Sequence, residues 1–300
     1  MKKKTYLFAL MAMVLTLGSC SDNENGIGGE TSKYITVSTS IGNMTRVATD
    51  AKGGQTFEEG DEISVYAWTG APTVAPETSE RVVNNAINKL TNGTWVSTPQ
   101  MLWKNNREKH YFIGVYPTAA ISDLSAGEYT FDVNKQTESD LLVAVNKDGI
   151  SYNADEQQTV PLTFTHVMAK LVVNLTYKNQ WGGIPTVEKV VVGNAAKEAT
   201  INYLTKVVTP STTAKEDFSL PEITENTKYV SVIIPQEDVK QLTIVIGGKN
   251  FVYDNGTPFK LESGKITTVN LEVGRDEIKL GDVKITNWED GSTFSGEALN

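Results

Sequence analysis

The chain has 300 residues, 39% of them apolar, with 27 Lys and Arg against 36 Asp and Glu, a net charge of −9 and a single cysteine. The acidic balance argues against nucleic acid and against electrostatic attachment to anionic lipid. One thiol rules out intramolecular disulfides and cysteine-ligated metal clusters.

Lys2, Lys3 and Lys4 open the chain, Tyr6 to Leu17 is an apolar run, and Gly18 and Ser19 lead to Cys20. That order is an export leader, and its apolar run is too short to span a bilayer. A cysteine at this point resembles the acylated first residue of a bacterial lipoprotein. Residues 1–19 are therefore expected to be a lipoprotein signal peptide, and Cys20 the site of lipidation by palmitate or similar acyl chains. Loss of the three lysines with the leader carries the −9 to −12, so a lipid anchor in the outer membrane rests on the acyl chains. Each buried methylene contributes roughly 0.8 kcal/mol. Residues 20–32 are polar and glycine-rich and read as a flexible tether.

From Lys33 the dominant period is two. Ile35, Val37, Thr39 and Ile41 alternate with polar residues, and Ile63, Val65 and Ala67 alternate with Ser64, Tyr66 and Trp68. Helical spacing is confined to Glu80–Leu90, through Val82, Val83, Ala86, Ile87 and Leu90. Later strands are expected around Leu171–Tyr177, around Val187, Lys189 and Val191 on one face, and at Val230–Ile234, Leu242–Ile246 and Lys265–Val273. Ile278 with Leu280, and Val283 with Ile285, predict two short strands near the end. Asn92-Gly93, Asp148-Gly149, Gly182-Gly183, Gly247-Gly248 and Asn255-Gly256 mark turns between them. The pattern is all-β and of sandwich type. The polar stretch 153–158 is placed as the boundary between an N-terminal domain, 33–155, and a C-terminal domain, 156–300.

Catalytic signals are few. His110 and His166 have no partner at metal-ligand spacing, and no nucleophile elbow, phosphate loop or dinucleotide glycine pattern occurs. Glu58, Glu59, Asp61 and Glu62 read as a solvated turn. No catalytic residue, metal or cofactor is expected. Trp68, Trp95, Trp103, Trp181 and Trp288 either pack in the cores or, if exposed, stack on a glycan.

Several segments together resemble the fimbrillin family. They are Met44-Thr45-Arg46 followed by Phe57-Glu58-Glu59-Gly60-Asp61-Glu62-Ile63, then Tyr111 to Pro117, Asp140 to Ala144, Leu162 to Leu171, and the closing Ile285-Thr286-Asn287-Trp288. The resemblance implies two transthyretin-like antiparallel β-sandwich domains in tandem. It also implies a structural, non-enzymatic subunit of a fimbria (a type V pilus), exported as a surface-exposed lipoprotein of the outer membrane. In pilus-forming members an arginine-specific protease cuts after an arginine placed like Arg46, leaving Val47 as the new N-terminus. The first strand, with Ile35, Val37 and Ile41, would leave with the lipid. A strand from another fimbrial subunit would replace it by donor-strand exchange, and the candidate donor strand carries Ile278, Leu280, Val283 and Ile285. Arg46 taken alone reads as an ordinary loop arginine; it is the family motif that makes it a processing site. The alternative is a permanently anchored surface lipoprotein, acting either as an adhesin for a glycan or host-protein receptor or as the pilus anchor.

Overall fold

The computed structural model describes residues 33–42, 56–254 and 256–288. Strands dominate: β1 (Thr36–Ile41), β2 (Glu62–Thr69), β3 (Val83–Thr91), β4 (Thr94–Thr98), β5 (Lys109–Tyr116), β6 (Gly127–Thr130), β7 (Leu142–Ser151), β8 (Thr159–His166) and β9 (Ala169–Tyr177). They continue as β10 (Val187–Ala196), β11 (Glu198–Asn202), β12 (Val207–Pro210), β13 (Lys215–Ser219), β14 (Glu222–Thr224), β15 (Lys228–Ile233), β16 (Gln241–Ile246), β17 (Lys249–Asp254), β18 (Lys265–Val273) and β19 (Ile278–Asn287). Helix among the described residues is limited to single turns such as Gln136–Ser139. The all-β expectation holds, in a layered, sandwich-like arrangement of several sheets.

The first sheet runs β1-β8-β7-β5-β2-β3-β4. It curls far enough that the segment after β4 returns to the residues before β1: the Ile35 N–H donates to Met101 O at 3.0 Å, and the Trp103 N–H to Lys33 O at 3.3 Å. Inside the curl lie Ile35, Val37, Ile63, Val65, Met101, Trp103, Phe112, Leu162 and Phe164. Gly114 in β5 makes room for this packing, since a Cβ there would sit 2.6 Å from the Phe164 ring.

The opposite face of β2 and β5 is buried as well. Tyr66, Trp68, Tyr111, Ile113 and Val115 join a second apolar cluster that runs through Ile121, Leu124 and Phe131 into the later strands. The alternation at 63–68 therefore marks two buried faces rather than one wet and one dry. The second cluster is shared by the sheets β14-β15-β9-β18-β19 and β13-β10-β16-β17. A third sheet, β12-β11-β6, ties the halves together by backbone bonds from Glu128 to Thr200 and their neighbours.

Most pairings are antiparallel, but β1 with β8 and β9 with β18 are parallel. The polar stretch 153–158 is the β7–β8 connection. Because β8 pairs with β1 and β7, the hydrogen-bonded first sheet extends to His166, and the chain changes sheets at Val167-Met168.

Several local expectations fail for one reason, the β-bulge. The helical spacing at 80–90 is strand β3, where Val65 and Ala67 of β2 face Ala86 and Val83. Three residues thus span the space of two, with Asn85 at φ 56°, and apolar spacing of three results. In β10 an irregularity between Val187 and Lys189 shifts the phase, so Val187, Val190 and Val192 are buried while Lys189 is exposed. Asp148-Gly149 is not a turn between strands. It is a bulge inside β7, opposite β5, with Gly149 at φ 68° against the Tyr111 ring. Asn92-Gly93 and Gly247-Gly248 do form the expected tight hairpins, each with two positive φ values.

Gly114→Ala is expected to lower the unfolding free energy by about 1–3 kcal/mol through overpacking against Phe164. Urea denaturation checks it, and wild-type stability would mean that the ring has room to move.

Candidate functional site

β1 is short and polar on one side. Ile35 and Val37 are 2% and 6% exposed and fill slots in the first core, whereas Ile41 is only half-buried. Thr39 accepts the Trp95 indole N–H at 3.0 Å. The outer residues bond across to β8 and its approach, Thr36 Oγ1 to Gln158 O at 3.0 Å and Ser40 Oγ to Thr163 Oγ1 at 3.2 Å. The ladder to β8 covers all of β1, from Thr36 opposite Thr159 to Ile41 opposite Phe164, and the Gly42 N–H extends it to Phe164 O. On its other side β1 has no hydrogen-bonded strand among the described residues: the residues just before it meet Met101–Trp103, and Thr39 meets Trp95 of β4. Removing it would open a strand-wide gap with two apolar slots at its start. Cys20, Arg46 and Val47 lie outside the described residues.

An aromatic knot closes the far end of that gap. Phe57 meets Trp95, Tyr116 and Phe164 edge-on, with centroids 5.1–5.4 Å apart. The Tyr116 hydroxyl donates to Asp61 Oδ1 at 3.3 Å, and Asp61 Oδ2 accepts the Glu58 N–H at 2.7 Å. Burial, with Asp61 adding to it, pushes the Tyr116 phenol up to about 12. Glu59 accepts the Asn92 N–H, and Glu62 pairs with Lys89 at 2.9 Å. The acidic run at 58–62 is thus a structured surface turn.

Ile278, Leu280, Val283 and Ile285 belong to one strand, not two. β19 pairs antiparallel with β18 at the edge of its sheet, and a bulge lets Leu271 face Leu280 while Val269 faces Val283. The extra residue restores the phase. Ile278, Leu280, Val283 and Ile285 stand opposite Val273, Leu271, Val269 and Thr267, all on one face. Ile278 and Leu280 pack against the core, but Val283 and Ile285 remain 40% and 39% exposed. The outer edge of β19 has no neighbouring strand among the described residues. Unpaired edges of this kind invite strand addition.

The histidines are structural. His110 is fully buried against Trp103, and its Nε2 accepts the Lys104 N–H at 3.0 Å. Burial holds its imidazole below the usual histidine range. His166 Nδ1 lies 2.7 Å from Asp140 Oδ1, and its ring stacks on Trp288 with centroids 4.1 Å apart and planes 6° from parallel. The sequence singles out Asp140, His166 and Trp288 in separate motifs, but nothing in it indicates that they meet. Trp68, Trp103 and Trp288 are buried. Trp95 and Trp181 are half-buried, and their N–H groups donate to Thr39 and to Val273 O. Among the described residues no group of three or more His, Cys, Asp or Glu is placed to hold a metal. A shallow open depression of about 410 Å³ beside Tyr177, Lys178 and Ile184 contains neither histidine.

A family model described as fimbrillin-like matches residues 45–288. No curated protein matches the chain. Among solved structures, a candidate cell adhesion protein from Bacteroides ovatus ATCC 8483 superposes with a TM-score of 0.62 at 17% identity, covering 85% of this chain and 98% of its own. Another candidate cell adhesion protein, from Bacteroides uniformis ATCC 8492, gives 0.60 at 18%, covering 85% and 99%. A fimbrial protein from Bacteroides vulgatus ATCC 8482 gives 0.51 at 13%, covering 84% and 99%. These likenesses speak for a shared fold.

The unequal burial along β1 predicts unequal costs of truncation. Ile35→Ala is expected to lose about 2–4 kcal/mol of stability and Ile41→Ala about 1 or less. Chemical denaturation measures both, and equal losses would contradict a strand held by its first two apolar slots.

Proposed function

From its membership of the fimbrillin-like family, which makes this chain a fimbrial or adhesion-related surface protein, we propose that it is a structural subunit of a cell-surface fimbria. It is exported as a lipoprotein acylated at Cys20 and held at the outer membrane, surface-exposed, until an arginine-specific protease cuts between Arg46 and Val47. The cut removes the anchor and β1 together. A strand of another fimbrial subunit then enters the vacated gap, and repetition of the step builds the polymer. β19, with Ile278, Leu280, Val283 and Ile285, is the candidate donor. Its role is structural rather than catalytic.

The observation that carries this reading is the seat of β1. It is the first strand among the described residues, it lies next to the expected cut, and the apolar contribution of β1 and the residue before it is concentrated in Ile35 and Val37. Burying each such side chain stabilises by roughly 1.5–3 kcal/mol, against about 5–15 kcal/mol for an ordinary domain. A chain without β1 would therefore be weakened and driven to take up a replacement. Any strand with two successive apolar side chains on one face can fill both slots, and β19 has such pairs at Ile278 with Leu280 and at Val283 with Ile285. The glycan-binding alternative rests on exposed tryptophans. Burial of Trp68, Trp103 and Trp288, with the N–H groups of Trp95 and Trp181 already engaged, weighs against it.

The test is the N-terminus of protein recovered from the cell surface. Processing predicts Val47 and SDS-resistant ladders after treatment with an arginine-specific protease, and Arg46→Ala is expected to abolish both. Acylated Cys20 on all surface protein, with no ladders, would establish a permanent anchor instead.

A further inference from the structure

Trp288, immediately after β19, is gripped by His166 and Lys170 at its ring and by Gly264 at its backbone, with Asp140 behind His166. His166, the last residue of β8, stacks flat on its ring at 4.1 Å. Asp140 holds that imidazole in plane through a 2.7 Å contact to Nδ1. Lys170, near the start of β9, places Nζ 5.1 Å from the Trp288 ring centroid, a cation–π distance. The backbone is gripped too. The Trp288 N–H donates to Gly264 O at 3.1 Å, the Gly264 N–H to Met168 O at 2.9 Å, and Ser263 Oγ to Val167 O at 2.8 Å. Gly264 has φ 67°, and a Cβ there would stand 3.1 Å from His166 O, so the turn before β18 lies directly on the 166–168 crossover. Beside it, Lys265 bonds to the Asn287 side chain.

The remainder of β19 is held less firmly. Ile278 and Leu280 are half-buried, the bulge interrupts the ladder, and Val283 and Ile285 are about two-fifths exposed. Trp288 is 7% exposed and is the largest side chain in the stretch 278–288. The apolar hold on the C-terminal half of the strand is thus concentrated in one ring, and the partners of that ring, His166 and Lys170, belong to the part of the subunit that a departing β19 would leave behind.

We propose that Trp288, seated on His166 and Lys170, is the latch that keeps β19 on its own subunit, and that its release limits the availability of this strand for donation. Trp288 and His166 are positioning residues in this scheme. The link to donation rests on the assembly reading above, whereas the latch itself does not.

Hydrogen exchange on the full chain separates the two. Trp288→Ala is expected to speed exchange of the β19 amides bonded to β18 by about 100- to 1000-fold, the size expected for losing a buried indole, with the amides of β5 and β16 unchanged. Trp288→Phe, which keeps a stacking ring, should recover most of the protection. Uniform acceleration across all strands, or none in β19, overturns the latch. Should Trp288→Ala fail to fold, His166→Ala removes the stacking platform with the ring retained and makes the same comparison. In ladder assays, Trp288→Ala subunits are expected to donate faster than wild type. Selective loosening of β19 with an unchanged laddering rate overturns its link to donation. Absence of ladders from wild type defeats the assembly reading instead, and the exchange result alone then decides the latch.

Discussion

Two side chains, Ile35 and Val37, and the six-residue ladder behind them close the first sheet. Without that strand, β8 would present a full edge of unpaired N–H and C=O groups beside a core missing two of its apolar residues. An edge of this kind is a template for any extended chain, so it must be paired or covered. The same physics that makes β1 a good cover makes it replaceable. Its hold comes from backbone bonds, which any strand can supply, and from two slots that accept aliphatic side chains generally. Specificity for the native strand is modest, and a cover of that sort suits the proposed exchange.

The rest of the molecule supplies a rigid frame for this edge. β2 and β5 are buried on both faces, with Ile63, Val65 and Phe112 in one cluster and Tyr66, Trp68 and Ile113 in the other. The β6–β11 pairing adds a backbone ladder between the halves. A frame joined by a continuous apolar cluster and by hydrogen bonds deforms little when one edge strand is withdrawn. Such stiffness also suits the load-bearing position in the proposed polymer.

Strand content was legible because alternation of apolar and polar residues is a local property. Ile35, Val37 and Ile41 read as one face and lie on one face. The errors were equally local in origin. Val83 and Ala86 imitate a helix because a bulge at Asn84-Asn85 adds a residue. Simple alternation puts Val191 on the face of Val187, but a bulge near Lys189 changes the phase. Ile278 with Leu280 and Val283 with Ile285 looked like two strands because a bulge separates them while keeping all four on one side. A bulge is set by the partner strand's spacing, which no single segment records. Parallel pairing of β1 with β8 was out of reach for the same reason, since the partners are more than a hundred residues apart in sequence.

The sequence by itself determined the all-β class, the tight hairpin at Asn92-Gly93, and the family resemblance carried by ordered motifs; the leader over residues 1–19 and acylation at Cys20 stay its expectations. The first two depend on residues within a few positions of one another, and the resemblance on short motifs read in their order along the chain. Only the tertiary structure decided that β1 runs parallel to β8, that Ile41 is less buried than Ile35 and Val37, and that Asp140, His166, Lys170 and Trp288 form one cluster. Those facts depend on which distant segments compete for the same apolar space. That competition is settled by the whole chain packing at once, not by any stretch of it alone.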